Sequence, residues 1–208
     1  MAGNLFIFEG PDGVGKTTLV HNTITFLRAR NSPFLSLSSP GKTAGTLGNL
    51  VDRIHHTPAD FSITEIAPLA LQALHIGAHL DAIENRIKPA LDDNITVLLD
   101  RTWWSTWVYG LAANVNVAVL SKLIEAEQLA WGEIVPAAVF LVQRAAAIRV
   151  EHSQEAFNTL SHLYEDLAAR EEARYPVIRI LNDDLNLSTD LVRELIAPIL
   201  GLDPQTSY

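Results

Sequence analysis

The stretch that decides the fold is "NLFIFEGPDGVGKTTLV", residues Asn4–Val20. It begins with an apolar run, continues through a segment rich in Gly, Pro and Asp, and ends in Lys-Thr-Thr at the start of a segment with helical character. Residues 10–17 match the pattern G-x-x-x-x-G-K-[ST] at every fixed position. The sequence therefore predicts a strand, a phosphate-binding loop and a helix in succession.

Each fixed position of this loop has a chemical reason. Glycines let the backbone wrap around an anion with its N–H groups turned inward, and the helix that follows adds the positive end of its dipole. The lysine then contacts the β- and γ-phosphates of a nucleoside triphosphate, while the hydroxyl after it ligates Mg²⁺. We therefore expect the triphosphate to contact Gly10, Asp12, Gly13, Val14, Gly15, Lys16, Thr17 and Thr18.

Apolar segments and helical segments alternate along the chain. The predicted strands are Leu5–Phe8, Phe34–Leu37, Ile95–Leu99, Ala137–Val142 and Val177–Leu181, and they lack clean alternation, as in strands buried on both faces of a parallel sheet. The predicted helices are Lys16–Arg30, roughly Thr64–Leu91, a Trp-rich segment after Thr102, Val117–Ala130, Ser153–Arg174 and Ser188–Leu200. This order predicts a three-layer α/β fold with about five parallel strands and helices on both faces of the sheet.

Composition limits the classes of function. The 208 residues contain no cysteine, which excludes disulfides and thiolate metal sites. The formal net charge of −9 disfavours a polymeric nucleic acid as partner. We expect one domain over residues 1–208, no secretory signal or membrane span, and a cytoplasmic location, which would be the host cytoplasm if the protein is viral.

A second motif ends the third predicted strand. Asp100 follows an apolar run, and in P-loop proteins an acid at that position helps to hold Mg²⁺, although it could also be a simple turn residue. The next residue is Arg101, where motor ATPases usually have a glutamate, and the N-K-x-D base reader of GTPases does not occur. An arginine here suits a second phosphate group. The pair therefore favours a kinase.

At this point several motifs carry a family resemblance. "FEGPDGVGKTT" (Phe8–Thr18), "IENRIKPAL" (Ile83–Leu91), "DRTWWSTWVYG" (Asp100–Gly110) and "YEDLA" (Tyr164–Ala168) are similar, in this order, to motifs of the thymidylate kinase family. A divergent, bacteriophage-type member is one interpretation. The resemblance implies the three-layer P-loop kinase fold and an ATP-dependent deoxynucleoside monophosphate kinase, with ATP and Mg²⁺ as cofactors.

The resemblance also implies roles for individual residues. Lys16 would hold the ATP phosphates, Thr17 and Asp100 would manage Mg²⁺, Arg101 would clamp the acceptor phosphate, and Asp12 would bind the acceptor sugar near its 3′-hydroxyl. The full set expected around the acceptor is Glu9, Asp12, Pro40, His75, His79, Arg101, Trp104, Ser105 and Tyr164. A homodimer through the apolar helix around Ala67–Leu80 would suit such an enzyme.

Two departures from the family pattern matter. The family's transition-state arginine is missing, because position 13 is glycine and residues 151–169 contain no Lys or Arg. We expect Arg149, with Arg144 as a helper, to take that role from a short lid around residues 144–160. The alternatives for Arg149 are stacking on adenine and a solvated surface position.

The second departure concerns the acceptor base. By position, His75 and His79 replace an aromatic residue and an arginine of the family. The acceptor that we expect is dTMP or a 5-modified dUMP such as 5-hydroxymethyl-dUMP. Zinc binding or plain helix packing are alternatives for the two histidines. Other functions left open are a deoxynucleoside kinase with Glu9 or Asp100 as base, a kinase that acts on hydroxymethyluracil in phage DNA, and a non-catalytic ATP-binding protein.

Overall fold

The computed structural model describes residues 3–146 and 153–205. The strands are β1 (Leu5–Glu9), β2 (Phe34–Ser38), β3 (Thr96–Asp100), β4 (Ala138–Gln143) and β5 (Val177–Leu181). The helices are α1 (Lys16–Ala29), α2 (Leu47–His56), α3 (Pro68–Ala82), α4 (Lys88–Asp92), α5 (Trp103–Ala112), α6 (Val117–Trp131), α7 (Gln154–Glu171) and α8 (Leu185–Leu200). A 3₁₀ turn, Pro58–Phe61, follows α2, and a π-helical turn, Ile83–Ile87, joins α3 to α4.

All five strands are parallel and lie in the order β2-β3-β1-β4-β5. Alternate residues of the central strands serve two different cores. One core contains Leu5 and Ile7 of β1 with side chains from α3 to α7, and the other contains Phe6 and Phe8 with side chains from α1 and α8. The predicted five-stranded parallel sheet with helices on both faces is confirmed.

Three helices differ from the prediction. Helix α2 was not predicted; it begins after Thr46, whose hydroxyl accepts a hydrogen bond from the Asn49 N–H at 3.2 Å. Helix α3 begins at Pro68, not near residue 64, because proline fits the first helical turn. Helix α8 begins at Leu185, three residues early, since the Asp184 carboxylate caps it.

No helix in residues 3–146 or 153–205 has the length and apolar character needed to cross a bilayer. The expected homodimer stays a prediction.

Two glycines allow a matched stability test. A Cβ on Gly48, at the start of α2, would lie 2.1 Å from the Pro40 carbonyl oxygen, whereas a Cβ on Gly77, inside α3, would meet nothing within 4 Å. We expect Gly48→Ala to lower the free energy of unfolding by about 1–3 kcal/mol through overpacking. Gly77→Ala should raise it by about 0.5–1 kcal/mol because alanine favours the helix. Urea unfolding of both variants is the measurement, and equal shifts would contradict the packing of α2 on the Pro40 loop.

Candidate active site

The site is built where β1 and β3 end side by side. The two strands pair with Phe8 opposite Asp100, and the Arg101 N–H donates to the Phe8 carbonyl at 3.0 Å. The loop after β1 and the residues after β3 therefore leave the sheet at the same edge. Ligands of open α/β sheets bind at this edge, beyond the carboxyl ends of the strands.

The loop from β1 to α1 needs its glycines. Gly10, Gly13 and Gly15 have φ values of 138°, 80° and 90°, which side chains rarely adopt. A Cβ on Gly10 would also lie 2.2 Å from the Val142 carbonyl oxygen. The Val14 side chain is buried in the core, so this residue can offer a ligand only its backbone. The loop thus has the conformation expected of a phosphate cradle.

Lys16 lies at the base of this loop. Its side chain is buried, and its ammonium group donates to the Pro11 carbonyl at 2.6 Å. Burial, together with repulsion from Arg101, lowers the pKa of Lys16 to about 7. A bound anion would raise the pKa of Lys16 again, so the lysine would take up a proton when a phosphate binds.

Thr17 and Asp100 meet at the first turn of α1. The Thr17 hydroxyl donates to the Asp100 carboxylate at 2.7 Å. Their oxygens are the ligand type that Mg²⁺ prefers, and Mg²⁺ usually takes its other ligands from phosphates and water. The donor set therefore fits Mg²⁺. Within the described ranges no cluster of three or more His, Cys, Asp or Glu side chains could hold a metal ion alone, and His75 and His79 form no zinc site with a third such residue there.

Arg101 is held from several sides. Its guanidinium donates to the Gly10 carbonyl at 3.1 Å, to the Ser105 hydroxyl at 2.7 Å and to the Tyr164 hydroxyl at 3.0 Å, and it forms an ion pair with Asp12. Its φ is +81°, a conformation in which a residue other than glycine is strained. The guanidinium thus stays beside the phosphate loop.

Asp12 belongs to the same network. It pairs with Arg101 through one carboxylate oxygen and accepts from the Tyr109 hydroxyl through the other, at 2.6 Å. Burial opposes its charge, but Arg101 and Tyr109 outweigh burial and lower the pKa of Asp12. Its carboxylate is partly exposed, so it can still accept a hydrogen bond from a ligand.

Glu9 lies beneath Arg101 and is fully buried. Its carboxylate accepts from the Thr102 N–H at 2.6 Å, from the Thr102 hydroxyl at 2.8 Å and from the Ser105 hydroxyl at 2.8 Å. Burial raises the pKa of Glu9 despite Arg101. Glu9, which was expected among the residues around the acceptor, therefore supports the start of α5. Ser105 and the fully buried Tyr164 likewise contact Arg101.

A cleft of about 420 Å³ opens next to Arg101. Its walls come from the loop after β2, which includes Pro40, and from α3, which includes His79. Asp100, Arg101 and Thr17 also line it. A second cavity, of about 70 Å³, lies next to Trp104 and Tyr175 and includes neither Asp100 nor Arg101.

The two predicted base-reading histidines have different surroundings. His75 is partly exposed and lies 3.2 Å from the His55 ring nitrogen. Burial, helped by His79, lowers the pKa of His75 to about 3, so it is neutral. His79 is buried, and its Nδ1 lies 2.7 Å from the Glu127 carboxylate.

Trp104 lies outside the cleft that Arg101 borders. It is 1% exposed, its indole N–H donates to the Tyr175 hydroxyl at 3.1 Å, and it does not line the cleft. Trp104, which was expected among the residues around the acceptor, therefore lies in the core, where its large apolar ring is buried. Arg144 follows β4 directly, while Arg149 lies outside the described residues.

Three residues that support the site were assigned no role from the sequence. Thr102 was not assigned a role, although it caps α5 and binds Glu9. Glu127 was missed because nothing in the sequence pairs a glutamate on one helix with a histidine 48 positions earlier. Asn182 donates to the Val14 carbonyl of the phosphate loop at 2.8 Å, and its conspicuous position just after β5 could have identified it.

A buried lysine under a glycine loop and an arginine fixed beside it give two neighbouring places for phosphate groups. An enzyme that moves a phosphoryl group between two substrates requires such a pair. The fold and the site together define the class of P-loop kinases.

Comparison with known proteins defines the family. The sequence pattern described as "Thymidylate kinase" matches residues 8–188. The chain is 30% identical to a thymidylate kinase of Bartonella quintana over 189 residues, covering 88% of this chain and 85% of that one. It is 28% identical to a thymidylate kinase of Bifidobacterium longum, covering 86% and 90%. The chain therefore belongs to the thymidylate kinase family and is a phosphotransferase.

A solved structure supports the fold independently. The crystal structure of thymidylate kinase from Ehrlichia chaffeensis superposes with a TM-score of 0.73, covering 94% of this chain and all of that one at 21% identity. At this identity the likeness shows the shared fold alone.

The buried lysine gives a direct pH prediction. In the protein without nucleotide, the Lys16 ammonium should titrate near pH 7, because burial and Arg101 disfavour its charge. Heteronuclear NMR of lysine side-chain carbons measures this, and Lys16→Met identifies the resonance among those of Lys42, Lys88 and Lys122. Bound triphosphate should move the inflection upward. An inflection that stays above pH 9 without nucleotide would contradict the described burial.

Proposed function

We propose that this chain transfers the γ-phosphoryl group of Mg·ATP to dTMP or to a 5-modified dUMP such as 5-hydroxymethyl-dUMP. The observation that carries the proposal is the position of Arg101, whose guanidinium bonds both the Gly10 carbonyl of the phosphate loop and the Asp12 carboxylate. An acceptor phosphate bound to this arginine would lie next to the phosphates held by Lys16.

Alignment and charge neutralisation supply the catalysis. An oxygen of the acceptor phosphate attacks the γ-phosphorus, the bond from that phosphorus to the bridging oxygen breaks, and ADP leaves with the bond's electrons. The attacking oxygen is already anionic, so no strong base is needed. Lys16 and the loop N–H groups would offset the charge on the ATP side, and Arg101 would do so on the acceptor side.

Thr17 and Asp100 would hold Mg²⁺. Bound there, the ion would neutralise charge on the transferring group. Their 2.7 Å hydrogen bond keeps both oxygens together for this role.

The deoxynucleoside kinase alternative is less well supported. It needs a carboxylate that can take a proton from a 5′-hydroxyl. Glu9 is fully buried, and both of its oxygens already accept hydrogen bonds from Thr102 and Ser105. Asp100 accepts from Thr17 and suits the metal instead.

The test is a product assay with Mg·ATP. The acceptor panel contains thymidine, dTMP, dUMP, 5-hydroxymethyl-dUMP and hydroxymethyluracil-containing DNA, and mass spectrometry identifies the products. We expect a nucleoside diphosphate from dTMP or a 5-modified dUMP, and none from Lys16→Ala because the phosphate cradle loses its cation. A new monophosphate, phosphorylated DNA or unchanged ATP would contradict the proposal.

The source of the transition-state arginine needs its own test. We infer that Arg149 supplies this charge from the lid expected around residues 144–160, since residues 151–169 contain no Lys or Arg. Arg149→Ala should lower kcat by about 10³–10⁵-fold and leave ATP binding by calorimetry nearly unchanged. Arg144→Ala is the matched control and should have a smaller effect. A mild effect of Arg149→Ala would refute the assignment.

A further inference from the structure

Asn182 links the last strand of the sheet to the phosphate loop. It follows β5 directly and is buried, and its side-chain N–H donates to the Val14 carbonyl at 2.8 Å. Its backbone N–H donates to the Gln143 carbonyl at 2.8 Å, which continues the pairing of β5 with β4. The amide is therefore held by the sheet and contacts a loop that lies 168 positions earlier in the sequence.

Val14 is fixed through both its side chain and its carbonyl group. The side chain is fully buried in the core that contains Phe8 and Val142, and the carbonyl accepts from Asn182. The peptide bond from Val14 to Gly15 is trans, and in a planar trans peptide the N–H points away from the preceding C=O. Because the Val14 carbonyl faces the buried Asn182, the Gly15 N–H points in the opposite direction, away from the interior.

The Gly15 N–H is available to a ligand. It donates to no acceptor within residues 3–146 and 153–205, and Gly15 is partly exposed. Gly15 also comes directly before Lys16, whose ammonium group lies at the base of the loop. Its N–H therefore belongs to the loop donors that would face the phosphates of a nucleotide.

The oxygen of the Asn182 amide indicates that this residue does more than stabilise the fold. Its Oδ1 atom is buried and has no hydrogen-bond partner among the described residues. Because only the amide nitrogen can donate to a carbonyl, the contact with Val14 fixes which way the amide faces. A buried acceptor without a donor costs free energy of folding. Positions that keep such a cost are typical of functional sites.

We propose that Asn182 is a positioning residue of the phosphate loop, which holds the Val14 carbonyl and thereby turns the Gly15 N–H toward the phosphates of the bound triphosphate. The inference rests on the proposed function for the identity of that nucleotide, and it adds a residue near the end of the chain to the triphosphate site. Without Asn182, the peptide between Val14 and Gly15 would be free to rotate, because glycine adopts many backbone conformations. The N–H would then face the ligand for only part of the time.

Two substitutions of Asn182 and one matched control test the contact. Asn182→Ala removes the donor together with the unpaired oxygen, and Asn182→Leu also keeps water away from the Val14 carbonyl. Each should weaken ATP binding by about 10- to 100-fold, the loss expected for one hydrogen bond to a charged group. If the larger leucine disturbs the fold, Asn182→Ala decides the outcome.

The control is Asn22→Ala. The Asn22 side chain donates to the Thr189 hydroxyl at 2.9 Å, so it also joins distant elements, α1 and α8, but it does not contact the loop. This variant loses the same kind of hydrogen bond as Asn182→Ala and should bind ATP as the natural protein does. An equal loss of ATP affinity in both variants would mean a general loosening of the fold and would overturn the inference.

Calorimetry with two ligands, Mg·ATP and inorganic tripolyphosphate with Mg²⁺, shows which part of the nucleotide is affected. Tripolyphosphate has neither base nor sugar, so an effect through the loop should raise Kd for both ligands by the same factor. A rise for ATP alone would mean that Asn182 contacts the nucleoside, which contradicts the inference. Kd for dTMP should stay the same, because the contacts of Arg101 with Ser105 and Tyr164 do not involve Asn182.

A spectroscopic readout separates this inference from the proposed function. In ¹H–¹⁵N NMR of the protein without nucleotide, the Gly15 amide resonance should shift in Asn182→Ala and stay in place in Asn22→Ala. If dTMP is phosphorylated but both Asn182 variants bind ATP and tripolyphosphate as the natural protein does, the inference fails while the proposed function stands. If the Asn182 variants lose affinity for both ligands but the natural protein phosphorylates no nucleotide, the proposed function fails while the inference stands.

Discussion

The parallel pairing of β1 with β3 is the constraint on which the site depends. The register of Phe8 opposite Asp100 brings the residues after both strands to one edge of the sheet. The phosphate loop follows the first strand, and Asp100 and Arg101 lie at the end of the second. A shift of one residue would turn Asp100 to the other face, where it could not reach Thr17.

Buried charged groups then fix the position of the Arg101 guanidinium. Glu9 lies below Arg101, and Asp12 lies beside it, so the guanidinium is neutralised from two directions. Breaking such a network leaves an uncompensated buried charge, which is strongly destabilising. The same network offsets the positive φ of Arg101, a strain of about 1–3 kcal/mol. The hydroxyls of Ser105 and Tyr164 accept hydrogen bonds from the arginine and help to fix its position.

Patterns among neighbouring residues were enough to predict the fold and the phosphate loop from the sequence. Five apolar runs correspond to the five strands, because a strand buried on both faces is apolar along its whole length. The phosphate loop was recognisable because its functional residues, Gly10 to Thr17, are consecutive in the sequence. Helix α2 escaped prediction because its capping residue, Thr46, follows an irregular Gly- and Thr-rich segment. Residues whose roles depend on the packing of helices were harder to predict from the sequence. The sequence could not tell whether Trp104 lies in the core or at the acceptor, nor that Glu127 contacts His79, because only helix packing joins such distant positions.

The central claim is that one site holds two nucleotides with their phosphates in contact. Competition kinetics with a bisubstrate analogue, adenosine and thymidine joined through five phosphates, tests it most directly. The account predicts that this compound competes with both ATP and dTMP and binds more tightly than either substrate. Competition with ATP alone, at the affinity of a simple ATP analogue, would contradict it.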